Sequence, residues 1–266
     1  MVEHMTQEAP AVLAIEAVHK IFLASDQPVH ALADTSFEVQ KGQFVCLLGP
    51  SGCGKSTLLR IIAGLESASA GRVITRLHEG SSDPAVVFQD GGLFAWRTVE
   101  ENISFGLQMQ GVGRRERKAI AHDWINRVGL RGFEKAYPSQ LSGGMRQRVA
   151  LARGFASGNE ILLMDEPFGA LDAQTRAFMQ EELLALWQEH QKTVLFVTHS
   201  IEEALLLGDR VAVMTGGPGR VNRWSEVPFE RPRTPAIASS QEFVEMRDAL
   251  WAQLRDEVVS SMQASA

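Results

Sequence analysis

The stretch Gly49-Pro50-Ser51-Gly52-Cys53-Gly54-Lys55-Ser56-Thr57 has the residue types and spacing to hold phosphate: a glycine, four residues, then Gly-Lys-Ser. Glycines let backbone N–H groups turn inward around phosphate oxygens, at a helix start whose dipole favours anions. Lys55 can reach the β- and γ-phosphates of a nucleoside triphosphate, and the Ser56 hydroxyl can ligand Mg²⁺. Other reactive groups stand at the ends of apolar runs. Gln89 closes Ala85-Val86-Val87-Phe88, where it can ligand Mg²⁺, or bind a water and move with its loop. Asp165 and Glu166 close Ile161-Leu162-Leu163-Met164. The first can hold Mg²⁺ through water, and the second can polarise an attacking water. His199 follows Thr193-Val194-Leu195-Phe196-Val197 and can donate to a γ-phosphate oxygen.

A second anion-ready point lies far along the chain. Ser142, Gly143 and Gly144 precede an apolar helical pattern, so their N–H groups also open a helix. Two phosphate-receiving helix starts in one chain suggest a nucleotide held between two copies. Upstream of the loop, Phe22 can stack on an adenine ring or pack as an ordinary strand aromatic.

These groups need a sheet to carry them. Alternating or apolar runs predict strands at 11–22, 35–39, 44–48, 72–76, 85–88, 161–164, 193–197, 211–215 and 221–227. Loops are expected near 25–28 and at Ser81, Ser82, Asp83 and Pro84. The helix after the phosphate loop should stop near Gly64. From 93 to 157 the pattern turns helical. Thr98 with Glu101 forms a capping box for a helix through Met109, and a charged helix spans 114–128. Its basic run, interrupted by Glu116, reads as a solvated face. Asp172 can cap a helix over 173–190 with Phe178, Met179, Leu183, Leu186 and Trp187 as its core face. Ser200 with Glu203 is a second capping box. The segment 230–236 should be extended, and Ser239 with Glu242 should open a last amphipathic helix striped by Phe243, Met246, Leu250, Leu254 and Val258.

Composition narrows the class. A chain of 266 residues, 45% hydrophobic and 22% charged, is one globular domain or a domain with a subdomain. A net charge of -6 gives no footprint for nucleic acid. No run reaches the roughly 18–20 apolar residues of a membrane span, and no secretory signal opens the chain. The two cysteines, one in an apolar strand and one in the phosphate loop, suit a reducing cytoplasm.

Taken together these motifs resemble the ATP-binding subunit of ABC transporters, over nearly the whole length from Ala14 to about Val227. The resemblance rests on GPSGCGKST, Gln89, LSGGMRQR at Leu141 to Arg148, ILLMDEP, Gly169-Ala170-Leu171-Asp172 and His199. It implies an α/β P-loop NTPase of ABC type, with a mixed sheet flanked by helices, an antiparallel β subdomain and an inserted helical subdomain. The implied division is one domain over 1–266: a nucleotide-binding core at 11–92 and 158–229, a helical subdomain at 93–157, and a C-terminal extension at 230–266. ATP and Mg²⁺ are the implied ligands. Glu166 is the implied base and His199 orients the γ-phosphate, with Gln89 and Lys55 also catalytic. Residues 49–57, Phe22, Gln89, Ser142, Gly143, Gly144, Asp172 and His199 would bind nucleotide, and Ser56, Gln89 and Asp165 the metal. Implied partners are a second ATPase subunit in a head-to-tail dimer, integral membrane permease subunits and, indirectly, a solute-binding protein. The location is peripheral, on the cytoplasmic face of the inner membrane.

Two positions depart from the family pattern. Met145 replaces a common Gln, removing a side-chain hydrogen bond at that helix start, and Ala95 stands where relatives often have Pro. GGLFAWRTVEENISFGLQ, DEPFGALDAQTR and GGPGRV look like the nitrate, sulfonate and taurine importer subgroup. Alternatives are a soluble ABC ATPase without a transporter, or a regulatory nucleotide-binding module with little turnover. Intact Glu166, Gln89 and His199 argue against the module.

Overall fold

The strand β3, Phe44–Leu48, explains the layering of the molecule. All five of its residues are buried, and successive side chains point to opposite faces. Phe44, Cys46 and Leu48 enter one apolar cluster, and Val45 and Leu47 enter another. A strand covered on both faces reads as a continuous hydrophobic run, which is the pattern of a buried parallel sheet. The structure, a computed structural model, describes residues 10–23, 27–77 and 83–264, with the side chains of the last helix given to Arg255.

Beside β3 lie β5 (Ala85–Val87), β6 (Ile161–Asp165), β7 (Thr193–Thr198), β8 (Arg210–Met214) and β9 (Val221–Glu226), in the order β5-β6-β7-β3-β8-β9. All pairings are parallel except β8 with β9, which close the sheet as a hairpin. A separate antiparallel sheet has the order β2-β1-β4, from β1 (Ala11–Leu23), β2 (Pro28–Gln40) and β4 (Ala70–Thr75). It packs over one face together with α1 (Lys55–Ile62). The opposite face is covered by α2 (Val99–Ile103), α4 (Arg114–Arg127), α5 (Gly143–Ala156), α6 (Ala173–His190), α7 (Ile201–Leu207) and α8 (Gln241–Ala264). The short α3 (Phe105–Met109) follows α2. This is an α/β fold with a mixed sheet and a separate antiparallel sheet.

The structure departs from the sequence expectations in places. β2 begins at Pro28 rather than at 35, because the bulge at Asp34, with φ 36°, hides its alternation. The helix expected from the Thr98 capping box to Met109 breaks at buried Ser104, although both hydrogen bonds of that box are present. Phe178 is not core: it is 49% exposed, while Met179, Leu183, Leu186 and Trp187 are buried. A helical step of about 100° per residue turns Phe178 away from the stripe begun at Met179. Ser200 accepts the Glu203 N–H at 3.2 Å, but the Glu203 carboxylate turns inward instead of returning to cap. Ser240, not Ser239, accepts the Phe243 N–H at the start of α8. The segment expected to be extended docks through Arg233. Its buried guanidinium donates to the carbonyls of Leu205, Leu206 and Gly208 and closes the end of α7. Ser25, Ser81, Ser82 and the side chain of Val258 lie outside the described residues.

Candidate functional site

Four neighbouring strands, β5, β6, β7 and β3, run parallel, so their C-terminal ends share one edge of the sheet. Gln89 follows β5, Asp165 ends β6 with Glu166 next to it, His199 follows β7, and the phosphate loop follows β3. Ligands of open α/β sheets bind at that edge.

The loop is a close-fitted cradle. Gly54 has φ 94°, and a Cβ there would stand 2.7 Å from the Ala31 carbonyl oxygen. A Cβ on Gly49 would meet Cys53 Sγ at 2.8 Å. Backbone can therefore approach where a side chain would block it. Lys55 is buried, and its Nζ donates to the carbonyls of Gly49 and Pro50 at 2.8 Å each. Its charge is thereby held inside the ring of the loop. Burial pushes the Cys53 thiol up, against the pull of Lys55, so the thiol is kept protonated. Pro50, Ser51, Gly52 and Thr57 complete the segment, with Ser51 and Gly52 exposed at its mouth.

Ser56 joins this loop to β6, its hydroxyl donating to Asp165 Oδ1 at 2.7 Å. Burial holds the Asp165 carboxyl above its ordinary range; the Ser56 bond opposes that shift and the neighbouring Glu166 adds to it. A hydroxyl and a desolvated carboxylate, both oxygen donors, suit a hard divalent cation, which would relieve the cost of burying the charge. Glu166 adopts φ 44°, in the left-handed region, with its N–H bonded to the Val197 carbonyl at 3.0 Å. A non-glycine residue held there is strained, and its surroundings over-determine it. Its Oε2 lies 3.0 Å from His199 Nδ1. Gln89 reaches the same corner: a Cβ on Gly169 would lie 3.2 Å from Gln89 Nε2 and 3.8 Å from Glu166 Oε2.

Other expected site residues lie elsewhere. Ser142 caps α5, accepting the Met145 N–H at 3.3 Å. With Gly143, Gly144, Arg148, Leu171, Asp172 and Phe178 it lines a groove of about 620 Å³ that contains none of residues 49–57, Gln89, Asp165, Glu166 or His199. Asp172 therefore sides with Ser142 and not with Lys55. Its carboxylate caps α6, accepting from the N–H groups of Gln174 and Thr175 and from the Thr175 hydroxyl, which keeps its pKa low. Phe22 is 38% exposed on β1 with Lys20 Nζ 4.7 Å from its ring centre, so the reading of it as a core aromatic is set aside. It pairs across the sheet with Val29, two residues from Ala31, whose carbonyl flanks Gly54.

A model of the family described as ABC transporter matches residues 32–169. An ABC transporter ATP-binding protein of Methanocaldococcus jannaschii is 50% identical over 254 residues, covering 94% of both chains. The chain belongs to the ABC transporter family. An aliphatic sulfonates import ATP-binding protein of Bacillus cereus is 42% identical, with 86% of this chain and 92% of that one covered. A taurine import ATP-binding protein of Rhizobium johnstonii is 47% identical, with 84% and 88% covered. Among solved structures, a bacterial ABC transporter cassette in dimeric form is 31% identical with a TM-score of 0.71, covering 82% of this chain and all of that one. A dimeric post-hydrolysis cassette bound to ADP and Pi scores 0.70 at the same identity and coverage. As a family member this ABC protein is an ATP-binding ATPase subunit of a transporter.

Arg153 belongs to no sequence motif yet supports the site. Its guanidinium, desolvated on α5, donates to the carbonyls of Gly91 and Gly92 at 2.9 and 2.8 Å and so anchors the loop after Gln89. The available signal was an arginine within the apolar run from Val149 to Ala156, where a buried cation needs acceptors.

Proposed function

We propose that two copies of this ABC subunit associate head to tail and hydrolyse ATP between them, driving import of a small anion through a permease. The observation that carries this is the separation of the two anion-ready points. Lys55, Ser56, Asp165, Glu166 and His199 gather at one sheet edge, whereas Ser142, Gly143 and Gly144 line a groove apart from them. Each copy thus offers half of what a triphosphate needs.

Lys55 would exchange its loop carbonyls for β- and γ-phosphate oxygens. Ser56, Asp165 and Gln89 would hold Mg²⁺, which neutralises charge on the phosphates when bound. Glu166 would accept the proton of a water attacking the γ-phosphorus while the bond to the bridging oxygen breaks and ADP leaves. His199, 3.0 Å from the carboxylate through Nδ1, would offer Nε2 to the γ-phosphate. From the partner, Ser142 and the two glycines would cap that phosphate, so its loss releases the copies from one another. Phe22 would stack loosely on the adenine.

The named importers of sulfonates and taurine support a solute of that chemistry, a small sulfonate- or nitrate-like anion. Among the described residues no helix is long and apolar enough to cross a membrane, so the passage would belong to permease subunits that this chain serves from the cytoplasmic face. A solute-binding protein would deliver the anion on the other side. Steady Mg²⁺-dependent ATP hydrolysis, with co-purification of a polytopic membrane protein, is the expected result. An active ATPase that leaves membranes entirely and binds nucleic acid with steep salt dependence would overturn the transport reading.

A further inference from the structure

Glu166 and His199 are joined by their own 3.0 Å contact and also by a buried route behind it. Glu203, on α7, is 7% exposed. Thr198 Oγ1 donates to its Oε2 at 2.5 Å, Gln180 Nε2 donates to its Oε1 at 3.1 Å, and Arg176 Nε stands 4.0 Å from that same oxygen. The Thr198 hydroxyl also accepts the Ser200 N–H at 3.0 Å, and Ser200 Oγ accepts the Glu203 N–H. Both neighbours of His199 in the chain are thus tied to Glu203. On the far side, Arg176 donates to the carbonyls of Phe168 and Leu171 at 3.4 and 3.0 Å, in the loop that follows Glu166. Arg176 and Gln180 are one helical turn apart, so α6 presents both to the same carboxylate.

A capping box alone does not call for this arrangement. It needs a glutamate bonded to the N–H of Ser200, at the solvent edge. Here Thr198 takes that N–H, and the freed carboxylate is buried, which is costly unless every donor around it is in place. The His199 side chain is itself 57% exposed, so packing does little to hold it.

We infer that Glu203 is a positioning residue for hydrolysis. Through Thr198 and Ser200 it fixes the turn that carries His199, and through Arg176 and Gln180 it ties that turn to the loop behind Glu166. The inference rests on the reading of Glu166 and His199 as the hydrolytic pair.

Thr198→Val and Glu203→Gln each keep side-chain volume while removing one link. Each is expected to lower kcat for ATP on the order of tenfold, with KM and nucleotide affinity moving by less than roughly twofold. Thr198→Ser, which keeps the hydroxyl, should restore most of what Thr198→Val loses. Either change combined with His199→Ala should be no slower than His199→Ala alone, because the effect passes through that ring. In the same full-length proteins, without nucleotide, the ¹⁵N resonance of His199 Nδ1 should leave its hydrogen-bonded position in both variants. Losses that multiply with that of His199→Ala, an unmoved ring resonance, or a fall in rate that only tracks the fraction folded would overturn the inference. An inactive parent chain would count against the ATPase reading, while the ring resonance would still decide the positioning.

Discussion

The starts of α1 and α5 both offer backbone N–H groups of the kind that receive an anion, but the charges beside them differ: a buried lysine and strand-end acids at the first, an arginine and a helix-capping aspartate at the second. At α1 the loop closes on buried Lys55, bonds through Ser56 to a buried Asp165, and faces Glu166 and His199 across neighbouring strand ends. At α5 Ser142 and Gly143 are exposed, and nearby arginines are engaged: Arg146 with the Leu141 carbonyl and Arg148 with that of Val128. On the proposed function, the first start holds and cuts the triphosphate. The second supplies donors without chemistry, which is what a face needs if it completes a site belonging to another copy. On that reading, one chain contains all the parts of a site and does not assemble it without a second copy.

Removing the chemistry from the first start should give the largest effect. Glu166→Gln keeps shape and removes the proposed base, and hydrolysis is expected to fall by about 10²–10⁴-fold. Nucleotide binding should persist, so ATP should trap the dimer on size-exclusion chromatography. Equal loss of binding and rate would mean that Glu166 serves the fold of the loop and not the reaction.

A mixing experiment separates the two starts most sharply. Lys55→Ala disables the first and Ser142→Arg blocks the second, so each variant alone should be nearly inactive. In a mixture, half of the dimers pair the two kinds and contain one intact composite site. About a quarter of parental activity should therefore return, as two-fold symmetry of the assembly requires. If every site lay within one chain, no activity would return.

Phe178 extends the comparison to the groove around the second start, which it lines half-exposed. Phe178→Ala should leave the unfolding free energy of the isolated chain within about 0.5 kcal/mol of the parent. The ATP-dependent dimer should weaken by about 1 kcal/mol or more, roughly fivefold, as for a covered aromatic anchor. A change in monomer stability with unaltered association would move Phe178 from the interface to the fold.

The first start was legible because its chemistry is local: the loop spacing, the strand before it and the helix after it are all in one stretch. The strand-end groups were legible for a related reason, since each closes an apolar run. What escaped depends on helical rotation, local irregularity or partners that come from another element. Phe178 looked like core because its neighbour Met179 is core, and one residue of helical rotation separates them. Glu203 looked like half of a capping box because Ser200 stands three residues before it, while its partners Gln180 and Arg176 come from another helix. The Asp34 bulge erased the alternation of β2, and Asp172 could be recognised as a cap but not assigned to the Ser142 groove.

The smallest expected effect concerns stability and tests whether the first start carries a cost that the second lacks. Burial raises the folded pKa of Asp165 above its ordinary 3.8, so the native state binds that proton more tightly than the unfolded chain does. Stability contributed by this group is therefore lost as pH climbs from 3.8 through the raised value, and the full cost is present at neutral pH. Asp165→Asn removes the charge and still accepts the Ser56 hydroxyl. Without nucleotide or metal it should melt a few degrees higher than the parent at pH 7, and the gain should shrink as pH falls toward 4. With MgATP the order should reverse, because the parent gains ligand stabilisation that the variant has largely lost. At the second start, Asp172→Asn should do the opposite. The Asp172 pKa is lowered, chiefly by the Thr175 hydroxyl, so its ionised form stabilises the fold at pH 7 and is lost as pH falls below 3.8. Differential scanning calorimetry of both variants between pH 4 and 8 reads the two signs directly; like signs would erase the distinction between a start that carries a costly buried carboxylate and one whose carboxylate stabilises the fold.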